Sequence, residues 1–229
     1  MSDIEQIPER LAEVRARIDA ATKRAGQPQN AVRLVAVSKT KPIEAIRAAY
    51  AAGQRDFGEN YIQELSEKSA ALADLVDLRW HFIGSLQRNK AKLATNLSTL
   101  IHTVDRDELV DELEKRAVAR GKPTDVLIEV NVGDESSKSG VPFETFPKLL
   151  EKARNSKNLR VRGLMAIPPF LDDPEAVRPY FVKLRQLRDG FGGATDLPEL
   201  SMGMSHDFGV AIEEGATLVR VGTAIFGSR

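Results

Sequence analysis

Eight short apolar segments of strand length recur from residue 32 to the end of the sequence and alternate with helical stretches. They occupy residues 32–38, 54–59, 78–84, 98–105, 124–133, 159–167, 198–204 and 217–227. Each of the first seven is followed by a stretch of helical character, such as 42–53. Eight strands alternating with helices are typical of a parallel sheet closed into a (β/α)8 barrel. An open doubly wound sheet is the alternative, but it would have to accommodate eight consecutive strands.

A further helix is predicted at the start of the chain, over residues 4–24, where apolar residues recur at spacings of three and four. The eighth segment ends two residues before the sequence does, so we expect no helix after the eighth strand. The N-terminal helix, within residues 1–26, is then expected to pack on that flank of the barrel. The predicted fold class is α/β, with one (β/α)8 TIM-type barrel domain over residues 1–229.

Composition excludes several classes of function. Lysine plus arginine and aspartate plus glutamate both count 33, and this zero net charge disfavours a nucleic-acid partner. The chain has no cysteine, which removes disulfides, thiol nucleophiles and cysteine metal sites. The first residues lack the apolar core of a signal peptide, and no apolar stretch has the length of a membrane span. We therefore expect a cytoplasmic protein without nucleic-acid or membrane partners.

The motif search is also mostly negative. The sequence has no GxGxxG after a strand, no GxxxxGK[ST] and no HExxH, so dinucleotide, P-loop and zincin functions find no support. The three histidines, His81, His102 and His206, show no metal-ligand spacing. We expect His81 and His102 to be hydrogen-bonded within the barrel and no metal to be bound.

Lys39 follows the first strand segment, in Val37-Ser38-Lys39-Thr40. Active sites of such barrels form at the carboxyl ends of the strands. Lys39 shares its side of the pleat with Val35 and Val37, so we expect it to point inward. A buried lysine is costly unless it is paired or deprotonated, and a neutral amine is what Schiff-base formation requires. A solvated loop lysine is the ordinary alternative, because most lysines are exposed.

The seventh and eighth segments carry residues suited to an anion. Ser205 and His206 precede a helical stretch beginning near Asp207, where free amides and the helix dipole favour negative charge. Gly222 lets the backbone come close to a ligand, and Thr223 offers an amide and a hydroxyl. Phosphate sites after strands seven and eight recur in this fold.

Four further polar residues are placed in the barrel or at its mouth. Arg220 has apolar neighbours on both sides and is expected to point into the barrel mouth, although a buried structural ion pair is equally compatible with its position. Glu129 and Asn131 alternate with apolar residues and face the interior, where they either form core hydrogen bonds or line a pocket. Asn60 lies at the end of the second strand.

Six segments appear in the same order as in a known family: VAVSKTKP (35–42), FGENYIQEL (57–65), WHFIGSLQRNK (80–90), GLMAIPP (163–169), SMGMSHDF (201–208) and VRVGTAIFG (219–227). They closely resemble the pyridoxal 5′-phosphate (PLP) homeostasis proteins, also called YggS-like or proline synthetase co-transcribed homologue proteins. The resemblance runs from about residue 30 to the C-terminus. It implies a fold like the N-terminal barrel of alanine racemase and a role in storing, buffering or delivering PLP, without established turnover.

The resemblance also implies a set of cofactor-binding residues: Lys39, Asn60, Met165, Ser201, Ser205, Arg220, Gly222 and Thr223. It makes Lys39 the Schiff-base lysine and Arg220 the residue that faces the pyridine nitrogen. The phosphate would be held by the SMGMS segment and Gly222-Thr223, with Ser205 the preferred side chain and Ser201 the second. Two positions depart from the family pattern, Ser85 where His or Pro is expected and His206 where Asp is expected.

Three functions remain open at this point. A PLP carrier, with PLP-dependent apo-enzymes as expected recipients of the cofactor, is preferred because a cation at the pyridine nitrogen makes the cofactor a weak electron sink. A PLP-dependent amino-acid racemase is the alternative, and a cofactor-free Schiff-base aldolase is the third. In alanine racemases a tyrosine from a second, C-terminal domain of the partner subunit completes the site. This sequence stops at Arg229, soon after the eighth segment, so we expect neither useful racemisation nor a dimer.

Overall fold

The computed structural model describes residues 3–134 and 139–227. Eight parallel strands lie in chain order and close into a barrel through pairing of the first with the last. The strands are β1 Arg33–Val37, β2 Asp56–Glu59, β3 Arg79–Phe82, β4 Leu100–Val104, β5 Thr124–Glu129, β6 Leu159–Met165, β7 Glu199–Met204 and β8 Leu218–Val221. The eight predicted strands and the closed barrel are thus confirmed.

Helices fill every connection between consecutive strands, as predicted, and one further helix lies before β1 and one after β8. In chain order they are α1 Ile7–Arg24, α2 Ile43–Ala51, α3 Ile62–Ala71, α4 Ala91–Leu97, α5 Asp107–Arg120, α6 Phe146–Asn155, α7 Arg178–Gly190, α8 Gly193–Asp196, α9 Phe208–Glu213 and α10 Thr223–Phe226. Single 3₁₀ turns precede α4 and α7. In the part of the chain that is described, no helix is both long and apolar enough to cross a membrane.

The C-terminal part of the barrel differs from the prediction. A one-turn helix, α10, follows β8, so the expectation that no helix comes after the eighth strand is wrong. Residues 217–227 look like one strand because they are almost continuously apolar, and a short apolar run does not distinguish a strand from a buried helical turn. The chain turns at Gly222, whose carbonyl accepts hydrogen bonds from the amides of Ile225 and Phe226.

The N-terminal helix covers this flank, as predicted. Helix α1 buries a stripe of apolar residues against the barrel and lies against α2, α9 and α10. The stripe consists of Ile7, Leu11, Val14, Ile18 and Ala21.

Strand residues alternate between two apolar layers. The larger layer lies between the barrel wall and the helices and includes Leu34 and Ala36 of β1. A small separate cluster lies in the barrel interior and consists of Val35, Leu100, Leu127, Met165 and Leu218. The remaining inward positions on several strands are polar. The interior is therefore part core and part site.

Candidate functional site

The predicted site residues come from different strands but meet at one face of the barrel. All eight strands are parallel, so their carboxyl ends lie at the same rim. Lys39 and Asn60 follow β1 and β2, and Ser205 follows β7. The register pairs Val35 with Arg220, which brings the end of β1 beside the end of β8.

Lys39 lies two residues beyond β1 and is half-buried rather than deeply buried. Among the described residues its amine has neither a hydrogen-bond nor an ion-pair partner. Lys41 differs, because its ammonium donates to the carbonyl oxygens of Phe226 at 2.9 Å and Gly227 at 3.1 Å. Of these two neighbouring lysines, Lys39 is the one with an amine available for a ligand.

Arg220 is enclosed in the barrel and only 4% exposed. Its Nη1 donates to Ser201 Oγ at 2.6 Å and its Nη2 to the Ala166 carbonyl at 2.9 Å. Burial lowers the pKa of Arg220 to about 10, against the opposing charges of Glu129 and Asp207, so the guanidinium remains a cation at neutral pH. Within the described chain no carboxylate forms an ion pair with it, which disfavours the structural ion-pair alternative.

Ser201 is buried next to Arg220 rather than at the phosphate end of the site. Its hydroxyl also lies 2.9 Å from His102 Nδ1. His102 Nε2 is 2.9 Å from His81 Nδ1, and His81 Nε2 is 2.9 Å from Asp56 Oδ1. The two histidines are therefore hydrogen-bonded inside the barrel, as predicted. Within the described part of the chain, no group of His, Asp or Glu has the arrangement of a metal site.

The other predicted phosphate residues lie together. The backbone amide of Gly222 donates to Ser205 Oγ at 3.3 Å, and Thr223 is exposed next to them. A Cβ at position 222 would lie 3.2 Å from the Val37 carbonyl oxygen, so a glycine suits the close approach of β8 to β1. Ser205, Gly222 and Thr223 thus form a small polar group beside the end of β1, and Ser201 is not part of it.

His206, one of the two departures from the family pattern, is exposed and faces the loop after β6. Its Nε2 lies 2.9 Å from the Asp172 carbonyl oxygen, and its ring is 5.4 Å from the ring of Phe170. Ser85, the other departure, is also exposed. Both substitutions therefore lie at the surface, near the rim rather than in the barrel interior.

Three buried side-chain oxygens at this end of the barrel lack a hydrogen-bond partner among the described residues, and one of them is Glu59 Oε2 at the end of β2. The other two are Glu129 Oε2 and Asn60 Oδ1. Burial, followed by the neighbouring charge of Asp105, raises the pKa of Glu129 to about 7. The unpartnered oxygen favours the pocket-lining alternative for Glu129 over a role in core hydrogen bonding. Met165 is buried in the inner cluster beside Glu129, with which it pairs in the sheet.

Asp56 is the residue that the sequence reasoning missed. It begins β2, is buried, and accepts two hydrogen bonds from Arg79 as well as the one from His81. Burial alone would raise the pKa of Asp56, but the hydrogen bonds from Arg79 and His81 outweigh it and hold the pKa well below its usual value. Alternation with Phe57, which faces the helices, could have placed Asp56 on the inner face.

The sequence matches the family described as alanine racemase, N-terminal domain, over residues 10–229. It is 53% identical over 223 residues to the pyridoxal phosphate homeostasis protein of Aquifex aeolicus, covering 96% of this chain and 97% of the relative. The chain belongs to the pyridoxal phosphate homeostasis protein family. One solved relative is PipY of Synechococcus elongatus with PLP bound, 38% identical, with a TM-score of 0.84 over 97% of this chain and all of that one.

Membership in the PLP homeostasis family agrees with a wider likeness of fold. Alanine racemase from Corynebacterium glutamicum is 15% identical, with a TM-score of 0.74 over 99% of this chain and 62% of that one, so it shares the barrel alone. The residues of this family member also fit PLP chemically. The amine of Lys39, which has no partner among the described residues, suits an aldehyde. The buried cation of Arg220 suits the nitrogen of a pyridine ring, and the hydroxyl and amide groups beside Ser205 and Gly222 suit a phosphate. The unpaired oxygen of Asn60 lies at the same rim.

Proposed function

We propose that this chain binds PLP covalently through Lys39 and acts in intracellular PLP homeostasis, by storage, buffering or delivery, without robust catalytic turnover. One observation carries the proposal. The Lys39 amine has no partner among the described residues, at the barrel rim next to the strand that carries the buried cation of Arg220. The name of the Aquifex relative and the PLP bound to the Synechococcus relative support the same conclusion.

Each residue would have a separate task. PLP would supply an aldehyde that condenses reversibly with a neutral amine and releases water, and Lys39 would provide that amine. Ser205 and Thr223 would donate hydroxyl hydrogen bonds to the phosphate, beside the backbone of Gly222. Asn60 and Met165 would line the pocket. Ser201 would act on the cofactor only through Arg220, because its hydroxyl is already engaged inside the barrel.

Arg220 would disfavour catalysis. A guanidinium held next to the pyridine nitrogen opposes a second positive charge there, so that nitrogen stays unprotonated. An unprotonated ring withdraws electrons weakly, and this limits amino-acid chemistry at the cofactor. Burial keeps Arg220 in place without removing its charge at neutral pH. A binding protein that exchanges its cofactor fits these properties better than an amino-acid racemase does.

The cellular side of the proposal has three parts. We propose that the protein works in the cytoplasm, that it is a monomer, and that PLP-dependent apo-enzymes receive the cofactor from it. The family name of the relatives supports a role in PLP supply. Sedimentation of the purified protein tests the monomer, and reactivation of an apo-enzyme by the loaded protein, compared with free PLP at equal concentration, tests delivery.

The central experiment locates the covalent link. Purified protein is incubated with PLP, treated with borohydride to fix a Schiff base permanently, and digested for peptide mass spectrometry. We expect the pyridoxyl adduct on Lys39 in the wild type and in Lys41→Ala, and no stoichiometric adduct in Lys39→Ala. Lys41→Ala is the matched control, since Lys41 lies two residues away and is engaged by the carbonyls of Phe226 and Gly227. A stoichiometric adduct on another lysine would refute the assignment.

A further inference from the structure

The barrel interior contains a continuous hydrogen-bonded column that runs from β2 to β8. It consists of Asp56, His81, His102, Ser201 and Arg220, and all five side chains are buried. Successive polar atoms are separated by 2.9, 2.9, 2.9 and 2.6 Å. Only Arg220, at one end of the column, belongs to the cofactor site proposed above.

We propose that His102, His81 and Asp56 are positioning residues for the cofactor, which fix the donor direction of this column and thereby hold the Arg220 cation in place. The inference rests on the proposed function, because it assigns the column a role at the PLP-binding end of the barrel. None of the three residues needs to touch PLP. They act through Ser201, whose oxygen receives the hydrogen bond from Arg220.

The direction follows from the chemistry of the two ends. A guanidinium has donors only, so Ser201 Oγ must accept from Arg220. The serine hydroxyl can then donate to His102 Nδ1, which requires the proton of His102 to be on Nε2. His102 Nε2 donates in turn to His81 Nδ1, and His81 Nε2 donates to the Asp56 carboxylate. Every link has one donor and one acceptor in this arrangement.

The charge states agree with that direction. Burial, the largest cause, lowers the pKa of His102 well below its usual value, so His102 is neutral. A neutral imidazole has one donor and one acceptor nitrogen, which is what a position inside the column needs. At the far end Asp56 is held as a carboxylate by Arg79 and His81. The column therefore begins at a cation and ends at an anion.

The reverse direction would leave a hydrogen bond unmade. If His102 carried its proton on Nδ1, Ser201 Oγ would accept from both His102 and Arg220, and the serine proton would have no acceptor in the column. His81 would then have to donate to His102, and only a protonated His81 could also donate to Asp56. A second cation in the interior would oppose Arg220. When both histidines are neutral and carry the proton on Nε2, the serine proton has an acceptor and no second cation is needed.

The first test uses the wild-type protein without cofactor. ¹⁵N NMR of the side-chain nitrogens distinguishes the two tautomers of a neutral imidazole. We expect His102 and His81 both to carry the proton on Nε2 near neutral pH. A proton on Nδ1 of His102 would overturn the proposal, and this measurement needs no variant to fold.

The second test separates positioning from packing. His102→Gln keeps an acceptor and a donor at the end of the side chain, whereas His102→Leu fills similar space with neither. We expect His102→Leu to weaken PLP binding about tenfold and to shift the absorbance of the bound cofactor. The reason is that Ser201 would lose its acceptor on His102 and would hold the Arg220 guanidinium less firmly. His102→Gln should restore both to near wild-type values. Asp56→Asn, at the opposite end of the column, should change the absorbance in the same direction as His102→Leu.

The outcomes distinguish this inference from the proposed function. If the wild type binds PLP and folded His102→Leu binds it with unchanged affinity and absorbance, the column has no positioning role and the proposed function stands. If folded His102→Gln is as impaired as His102→Leu, packing explains the effect and the positioning role is wrong. A wild-type protein that takes up no PLP would refute the proposed function and with it the role of the column toward PLP.

Discussion

Glu129 and Arg220 influence each other's charge inside the barrel without forming an ion pair. Glu129 supports the protonated form of Arg220, and Arg220 partly offsets the burial that raises the pKa of Glu129 to about 7. A buried carboxyl with such a pKa is half-protonated in the physiological range. The charge at the inner end of the proposed pocket therefore depends on pH.

This relationship predicts a pH-dependent stability. Glu129 holds its proton more tightly when folded, with a pKa of about 7 against an ordinary 4.5. Its contribution to the free energy of unfolding is therefore greatest below pH 4.5 and is lost as the pH rises through 7. The loss amounts to roughly 3 kcal/mol between those limits. Urea unfolding of the apo-protein between pH 5 and 8 should show Glu129→Gln gaining stability relative to the wild type as the pH rises. A constant difference would contradict the assignment.

Lys39 and Lys41 should differ in their contributions to stability. Lys39→Ala should leave the free energy of unfolding of the apo-protein nearly unchanged, within about 0.5 kcal/mol, because a partly exposed side chain without partners contributes little. Lys41→Ala should cost about 1 kcal/mol, since it removes charge-assisted hydrogen bonds to Phe226 and Gly227. Scanning calorimetry of both variants measures the difference. A large destabilisation by Lys39→Ala would mean that the residue has a structural role.

Replacing Arg220 should weaken PLP binding. Arg220→Ala removes the only cation in the column, so we expect the dissociation constant to rise at least about tenfold and the absorbance of the bound cofactor to change. Arg220→Lys keeps the charge but not both hydrogen bonds to Ser201 and Ala166, so its dissociation constant should lie between those of the wild type and Arg220→Ala. Near-ultraviolet circular dichroism checks that the barrel is intact. Unchanged affinity and absorbance in a folded Arg220→Ala would make the arginine structural.

The protein should not racemise amino acids at ordinary enzyme rates. Racemisation needs an acid or base on each face of the substrate carbon, and Lys39 could serve one face only. The Tyr50 hydroxyl is hydrogen-bonded to Asp77, and Tyr180 lies on α7, outside the barrel. Tyr61 follows β2 but is 53% exposed. Chiral chromatography of alanine incubated with the loaded protein measures turnover. Rapid racemisation abolished by Tyr61→Phe would favour the racemase alternative.

The sequence predicted the barrel because strand and helix periodicities alternate eight times, and closure of the sheet then gathers the strand ends. Lys39 could be assigned from that position together with the family resemblance. The predicted eighth strand, 217–227, runs past the end of β8 because the residues of α10 are as apolar as those of β8. Lys39 is less buried than the alternation of β1 predicts, because the strand ends at Val37 and Lys39 lies in the turn that follows.

The interior contacts could not be predicted in the same way. Ser201 and Ser205 lie in one short segment, but the first faces His102, which is 99 positions away in the chain. Such a contact depends on how strands β4 and β7 meet across the barrel, and local periodicity carries no information about it. Asp56 was missed for a related reason, since its partners Arg79 and His81 belong to the next strand.

Closure of the barrel also has a consequence for the order of events during synthesis. Lys41 meets Phe226, a residue 185 positions later, and the pairing of β1 with β8 joins the first strand made to the last. Contacts of such long sequence separation form late and slowly. A ribosome-bound chain that lacks β8 has Lys39 but not Arg220, so under the proposed function it would offer PLP only half of the site. Cofactor capture would then mark the completed barrel, and nascent chains would not compete with finished ones for PLP.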